Sequence, residues 1–311
     1  MDKKINMSCF YKKTTVQKAS IIIFFSFIFL NNGYSQDFKL AGIHYVNYPK
    51  SKIKDVSRSQ ETLFQEFGAF VNFPKKLKND KTTLINSFGY GFVEATMYNF
   101  TQPQTNEYEI KLQEFYYKLM LLHKWNEKWS LLVNLKPTLA SDFKRKLSLD
   151  DFVFQGAVIA TRKINDKFKI GAGVASSIRW GSPRVIPVVN LHYNNNRHNV
   201  NAILPINFKY TYSLFPDEKL KLGVKYARNG AGFNISDDNL PDVDKINYSR
   251  ANIGVLTNYH LTKILRLEAY GGISTGRIYD VVDFNKNVYK FGSQAAPFFN
   301  IGIVLVSPKR K

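Results

Sequence analysis

Apolar residues return at every second position of this chain, in run after run of about ten residues. In 167–178, Phe168, Ile170, Ala172 and Val174 alternate with Lys169, Gly171, Gly173 and Ala175. In 219–227, Leu220, Leu222, Val224 and Tyr226 alternate with Lys221, Gly223, Lys225 and Ala227. The same holds for Ala251, Ile253 and Val255 against Arg250, Asn252 and Gly254, and for Leu265, Leu267, Ala269 and Ile273 against Arg266, Glu268, Tyr270 and Ser274. Successive strand side chains point to opposite faces, so each run has one apolar face and one small or polar face. No stretch holds a helical stripe. Even 108–123 sets Phe115, Tyr117, Leu119 and Leu121 at strand spacing.

Connections sharpen the reading. Short polar turns fall at 126–128, 165–167, 194–198, 216–219 and 261–263, and longer links at 50–60, 97–107, 142–150, 230–245 and 279–294. Asn, Asp and Pro are the residues that tight strand reversals favour. Short turns at one end and long loops at the other are the asymmetry of an antiparallel transmembrane β-barrel, with periplasmic turns and extracellular loops. The segmentation yields strands near 38–48, 61–73, 82–96, 108–124, 129–141, 151–163, 168–179, 186–194, 199–204, 208–215, 219–229, 246–260, 264–278 and 295–306. That makes fourteen. If Leu204-Pro205-Ile206 is a bend within one strand, twelve is the alternative.

A soluble barrel would turn its aliphatic face inward. Here the other face is rich in Gly, Ala, Ser, Asn, Lys and Arg, which suits a hydrated interior and sends Leu, Ile, Val and Phe to lipid. A closed ring also gives every backbone amide in hydrocarbon a partner. Aromatics make up 15% of the chain, and many stand near strand ends, where interface girdles lie: Tyr45, Tyr48, Phe73, Tyr98, Phe100, Trp125, Trp129, Trp180, Tyr193, Tyr210, Tyr212, Tyr259 and Tyr279. The competing architecture is a secreted soluble β-barrel or sandwich with those aromatics as core.

Residues 1–35 read as a cleaved signal peptide: Lys3, Lys4, Lys12, Lys13 and Lys18, then the apolar run 21–30, then Gly33 and Ser35 before Gln36. Ten apolar residues are too few to span a bilayer. Cys9 precedes the apolar run and is the sole cysteine, so neither disulfides nor a thiolate zinc site belong to the barrel domain, 36–311. Of the formal charge of +20, +16 stays with that domain after five lysines and Asp2 depart.

The leader ending Gly33-Tyr34-Ser35-Gln36 and the Gly-rich aromatic hairpins resemble outer-membrane barrels of Bacteroidota. Residues 201–223 are similar to an uncharacterised family of such barrels, through the Leu204-Pro205 step, the turn Pro216-Asp217-Glu218-Lys219 and the strand start Leu220-Lys221-Leu222-Gly223. The resemblance covers about 36–306. It implies a location in the cell outer membrane and carries no catalytic residues. The last strand, from Phe298 to Val306, looks like the signal read by the barrel-assembly machinery, although Ser307-Pro308-Lys309-Arg310-Lys311 follow where such chains usually end.

No pattern of residues points to catalysis, to a cofactor or to a metal. His44, His123, His192, His198 and His260 lie outside any metal-ligand spacing, and Ser176, Ser177 and Ser274 have no histidine beside them in a recognisable motif. The acidic stretch 237–244 lacks the spacing of a calcium loop. Scattered basic residues without a basic helix or an aromatic RNA motif argue against nucleic acid. The informative charges are those expected to face the lumen: Lys118, Lys136, Lys169, Lys209, Lys221, Lys225, Arg250 and Arg266 against Glu66, Glu114 and Glu268. Cationic rings in a low-dielectric wall favour anions. The expectation is therefore no enzyme, but a passive pore or structural barrel in outer-membrane lipid whose basic lumen favours small anionic solutes. The alternative within the membrane is an embedded, lipase-like hydrolase.

Overall fold

The structure, a computed structural model, describes residues 38–54, 60–99, 107–236, 240 and 242–308. The leader 1–35, Phe100 and residues 237–239 and 241 of the acidic stretch 237–244 lie outside the described residues. Strands β1 (Lys39–Lys52), β2 (Glu61–Lys76), β3 (Thr82–Tyr98), β4 (Glu107–Lys124) and β5 (Trp129–Ser141) are followed by one 3-10 turn, Leu149–Asp151. Next come β6 (Phe152–Lys163), β7 (Phe168–Ser177), β8 (Arg184–Asn195), β9 (His198–Leu204) and β10 (Asn207–Ser213). The chain ends with β11 (Leu220–Asn234), β12 (Val243–His260), β13 (Leu265–Asp283), β14 (Val288–Ser293) and β15 (Ala296–Val306).

Each strand from β1 to β13 pairs antiparallel with the next, and β15 closes the ring between β13 and β1. β14 lies end to end with β15 along β13, pairing with 277–282 while β15 takes 265–274, so the two fill one place. The ring has fourteen strands, and Leu204-Pro205-Ile206 is a true reversal, so twelve is excluded. Two long links are shorter than expected. Strands β11 and β12 pair out to Asn234 and Lys245, and β13 and β14 fill most of 279–294.

Several of the short turns share one device: a side-chain oxygen receives the amides that the reversal leaves open. Asn79 Oδ1 accepts from Lys81 and Thr82. Asn126 Oδ1 accepts from Lys128 and Trp129, and Asn165 Oδ1 from Lys167 and Phe168.

The exterior is apolar. Ile43, Phe88, Phe115, Val174, Val224, Ile253, Val255, Ile273, Phe299 and Ile301 are all exposed, each about half or more. Soluble proteins rarely show so large a continuous apolar surface; on a barrel it is the lipid-facing band. The soluble sandwich, with these side chains in a core, does not describe this molecule. Trp125 and Trp129 stand exposed beside the β4–β5 turn.

The wall is not of even height. β9 and β10 have seven residues each, fewer than the nine to eleven that a tilted strand uses to cross a bilayer. Beyond their turn, 184–188 of β8 pair only with β7, and 229–233 of β11 pair only with β12. Among the described residues no sheet hydrogen bond joins β8 to β11. Instead β11 leans across to β5: Asn234 and Ser141 form a parallel bridge, and the Asp142 amide donates to the Asn234 carbonyl at 3.2 Å. The β7–β8 connection, 178–183, fills the space that is left. Gly230 and Gly232 permit this, since a Cβ on Gly230 would stand 2.8 Å from the Arg179 carbonyl and one on Gly232 2.9 Å from Ile178 Cδ1.

Candidate functional site

The interior is divided. Towards the long loops, Tyr48, Phe64, Leu112, Phe233, Tyr248, Tyr279 and Phe298 form one buried cluster drawn from most of the ring. Phe64 of β2 lies 6.1 Å from Tyr248 of β12, centre to centre, a contact across the lumen, and Phe233 on the neighbouring strand β11 adds a ring 6.4 Å from Tyr248. This half is not the hydrated space expected from the sequence. Tyr48 and Tyr279 belong to this cluster and not to an interface girdle. Tyr48 shares the inward parity of His44 and Val46. Tyr279 is turned inward by a bulge: Thr275 pairs with Ala251 and Ile278 with Ser249, with Gly276 at φ +56° between them. The extra residue flips the side-chain alternation of β13.

Arg250 runs through this cluster, fully buried, with its guanidinium 3.8 Å above the Tyr48 ring and 4.4 Å from that of Tyr248. Its counter-charge is Glu66 of β2, which also accepts from the Tyr248 hydroxyl at 3.1 Å. Because β13, β15 and β1 separate β12 from β2, this ion pair crosses the barrel. Arg277 is equally buried and donates to the Tyr279 hydroxyl at 3.2 Å. Among the described residues, Arg250 Nε and Nη1 and Arg277 Nη1 and Nη2 are buried without a hydrogen-bond partner and rest on aromatic faces instead.

Below the cluster lies a cavity of about 540 Å³. Lys136 and Glu114 approach within 3.8 Å on one side of it, and Lys136 stands 4.2 Å above the Tyr116 ring. Lys118 lines it with no carboxylate within ion-pair reach among the described residues. Opposite stand Ile203, Ile206 and Arg179, whose Nη1 donates to the Arg228 carbonyl at 2.6 Å. Beside it Ile159, Ala175, Val188 and Ile206 form a second apolar cluster, against which Trp180 packs. Trp180 therefore stands inside the wall and not in a girdle.

Nearer the short turns the charges gather around one carboxylate. Glu268 accepts from Lys39 Nζ at 2.6 Å and from Arg266 Nη2 at 2.6 Å. Lys209 and Lys225 are direct cross-strand partners on β10 and β11, and Lys225 stands 4.5 Å over the Tyr270 ring. Like charges set opposite one another destabilise a sheet, so this pairing is a cost that folding alone does not explain. Lys169 pairs in register with His192, and Lys221 bonds Glu218 at 2.5 Å near the rim. On the rim itself, hydrogen bonds from Lys76 and Lys163 hold the Asp80 and Asp166 carboxyls below the usual carboxylate range.

The structure thus brings together Glu66 with Arg250, Glu114 with Lys136 and Lys118, and Glu268 with Arg266, Lys209 and Lys225. Lys169 and Lys221 stand apart from these groups. Sequence reasoning did not include Lys39, Arg179 and Arg277. Strict alternation puts Arg277 in lipid, and that conflict, one residue after Gly276, was the signal of a bulge. Among the histidines, His192 bonds Asn201 at 2.7 Å, His198 bonds Tyr210 at 3.0 Å, and His123 bonds Thr82 at 2.9 Å. No group of three His, Cys, Asp or Glu side chains is placed to hold a metal ion among the described residues.

A family model described as a domain of unknown function (DUF6268) matches residues 32–305. No curated protein is significantly similar in sequence. Among solved structures, the chain is similar to the COG4313 outer membrane channel from Pseudomonas putida F1, at 12% identity and a TM-score of 0.43, over 89% of this chain and 100% of that one. It is similar to a deltaS2 mutant of the TodX monoaromatic hydrocarbon channel, at 11% identity and a TM-score of 0.42, over 87% and 90%. The NanC porin matches at 6% identity and a TM-score of 0.34, over 85% and 98%.

Proposed function

The chain belongs to the DUF6268 family, and we propose that it is an outer-membrane barrel, exported behind a cleaved leader, whose basic interior admits small anionic solutes from the short-turn end. The observation that carries this reading is the meeting of Lys209 and Lys225 across β10 and β11, with Lys39 and Arg266 beside them and Glu268 as their shared carboxylate. Charges held in a low-dielectric wall act over longer range than on an open surface, and an excess of cations lowers the barrier for an entering anion. An anion between Lys209 and Lys225 would also relieve the repulsion that their pairing creates.

Above the basic zone the aromatic cluster and Arg250 narrow the axial route, so the reading is a constricted channel with anion preference and not a wide porin. It assigns the chain no reaction. Outer-membrane lipid, met by the apolar exterior, and the barrel-assembly machinery are its expected partners. Purified protein in planar bilayers under a salt gradient tests the proposal. A small conductance with an anion-selective reversal potential is expected. A closed trace, or one that prefers cations, would overturn it.

A further inference from the structure

The wall above the β9–β10 turn is closed by packing and not by a sheet, and the mid-barrel cavity lies directly behind it. Residues on both sides of that gap line the cavity: Ile206 and Asn207 below, Ile178 and Arg179 across it, Asn229 and Gly230 on β11. The cavity has two chemistries. Lys118 and Lys136 stand on one side, and Ile203 and Ile206 on the other, where the Arg179 guanidinium is engaged by the Arg228 carbonyl. The second apolar cluster reaches this part of the wall through Val188 and Trp180, and on the outward parity of β8 Val185 and Val189 are exposed. Elsewhere in the ring the wall is continuous sheet, and hydrogen-bonded strands do not part to let a chain through.

From this we infer that the gap between β8 and β11 is a lateral port, and that its ligand is an amphiphilic anion. The acidic head lies in the cavity beside Lys118 and Lys136, and the apolar tail passes Ile206, Val188 and Trp180 into the bilayer. The inference rests on the outer-membrane reading above and adds to it a substrate class and a route. An acidic head with no tail gains only the charge contacts, and a tail with no charge gains only the apolar ones.

The protein supplies its own reporter. Of its three tryptophans, Trp125 and Trp129 stand at the short-turn end, so a Trp125→Phe, Trp129→Phe variant leaves Trp180 alone in the port. With this variant in phospholipid vesicles, 9,10-dibromostearate is titrated against its methyl ester, which carries the same tail and no charge. Saturable quenching of Trp180 by the acid is expected, about tenfold weaker for the ester, the scale of one charge-assisted hydrogen bond. Lys118→Met in the same background is expected to weaken the acid and leave the ester unchanged. Equal quenching by acid and ester, or no saturation in a barrel that still shows heat-modifiable mobility, overturns the port alone. A chain that neither inserts nor shifts on heating overturns the outer-membrane reading, and the port with it.

Discussion

Phe64 of β2 stacks on Tyr279 of β13, with 5.1 Å between ring centres and 5° between planes, although two strand positions separate them in the ring. Such a contact exists only because side chains meet across the interior, and it fixes where the barrel is narrow. Phe64→Ala removes the ring from a buried cluster, a change that costs about 3–5 kcal/mol in protein cores. The expected outcome is a lower urea midpoint for unfolding from detergent micelles, together with a severalfold rise in single-channel conductance. Lost stability with unchanged conductance would show that the constriction lies elsewhere.

Glu268 is the carboxylate shared by Lys39 and Arg266. Glu268→Gln keeps the shape and removes the charge, which leaves the surrounding cations uncompensated. The reversal potential in a salt gradient should move further towards that of chloride, and the barrel should unfold at lower urea. A shift towards potassium would contradict the assigned charge balance.

Gly276 holds φ at +56° with nothing within 4 Å of a would-be Cβ. Gly276→Ala therefore tests backbone conformation without a steric clash, at an expected cost of about 1–2 kcal/mol. Equilibrium unfolding of the two proteins measures it. If the bulge relaxes, Arg277 loses its inward placement, and the loss will exceed that figure.

Lys163 donates to Asp166 at 2.5 Å in the β6–β7 turn and holds that carboxyl below its ordinary value. A depressed carboxyl stabilises the fold above its unfolded pKa, about 3.9, and that contribution fades as pH falls through the folded value. Carbon-detected NMR titration should give an Asp166 midpoint below that of an ordinary aspartate, returning to it in Lys163→Met.

Gly230→Val places side-chain atoms against the Arg179 backbone and the Tyr248 carbonyl. The β7–β8 connection has to yield, because the strand behind Gly230 is held by β12. Faster amide exchange at 178–183, with β12 and β13 unchanged, is the expected pattern.

Architecture was legible because two signals agreed. Alternation in β7, β11, β12 and β13 named the inward face, and turn chemistry at Asn126, Asn165 and Asp217 set the boundaries. The division of the interior was not legible. Period two says which face a residue takes but not how far its side chain reaches. Phe64, Tyr248 and Tyr279 therefore gave no sign that they meet across the lumen. Bulges defeat the pattern outright, as at Gly276, where one inserted residue turned Tyr279 from an expected girdle position to the centre. The pair Glu66–Arg250 joins residues far apart in sequence, and only ring closure brings them to one depth, whereas Glu114 and Lys136 meet within the β4–β5 hairpin.

The hairpin of β9 and β10 has a consequence for the surroundings of the molecule. Seven residues at about 3.3 Å each, tilted by about 40°, raise the wall by roughly 18 Å, whereas the apolar band of such barrels is about 25 Å tall. In the proposed outer-membrane setting, lipids beside this stretch would meet a low sheet topped by the packed connection 178–183. Their tails would have to shorten or splay against that packed segment, so the leaflet on the long-loop side would be dimpled at one point of the circumference and level elsewhere.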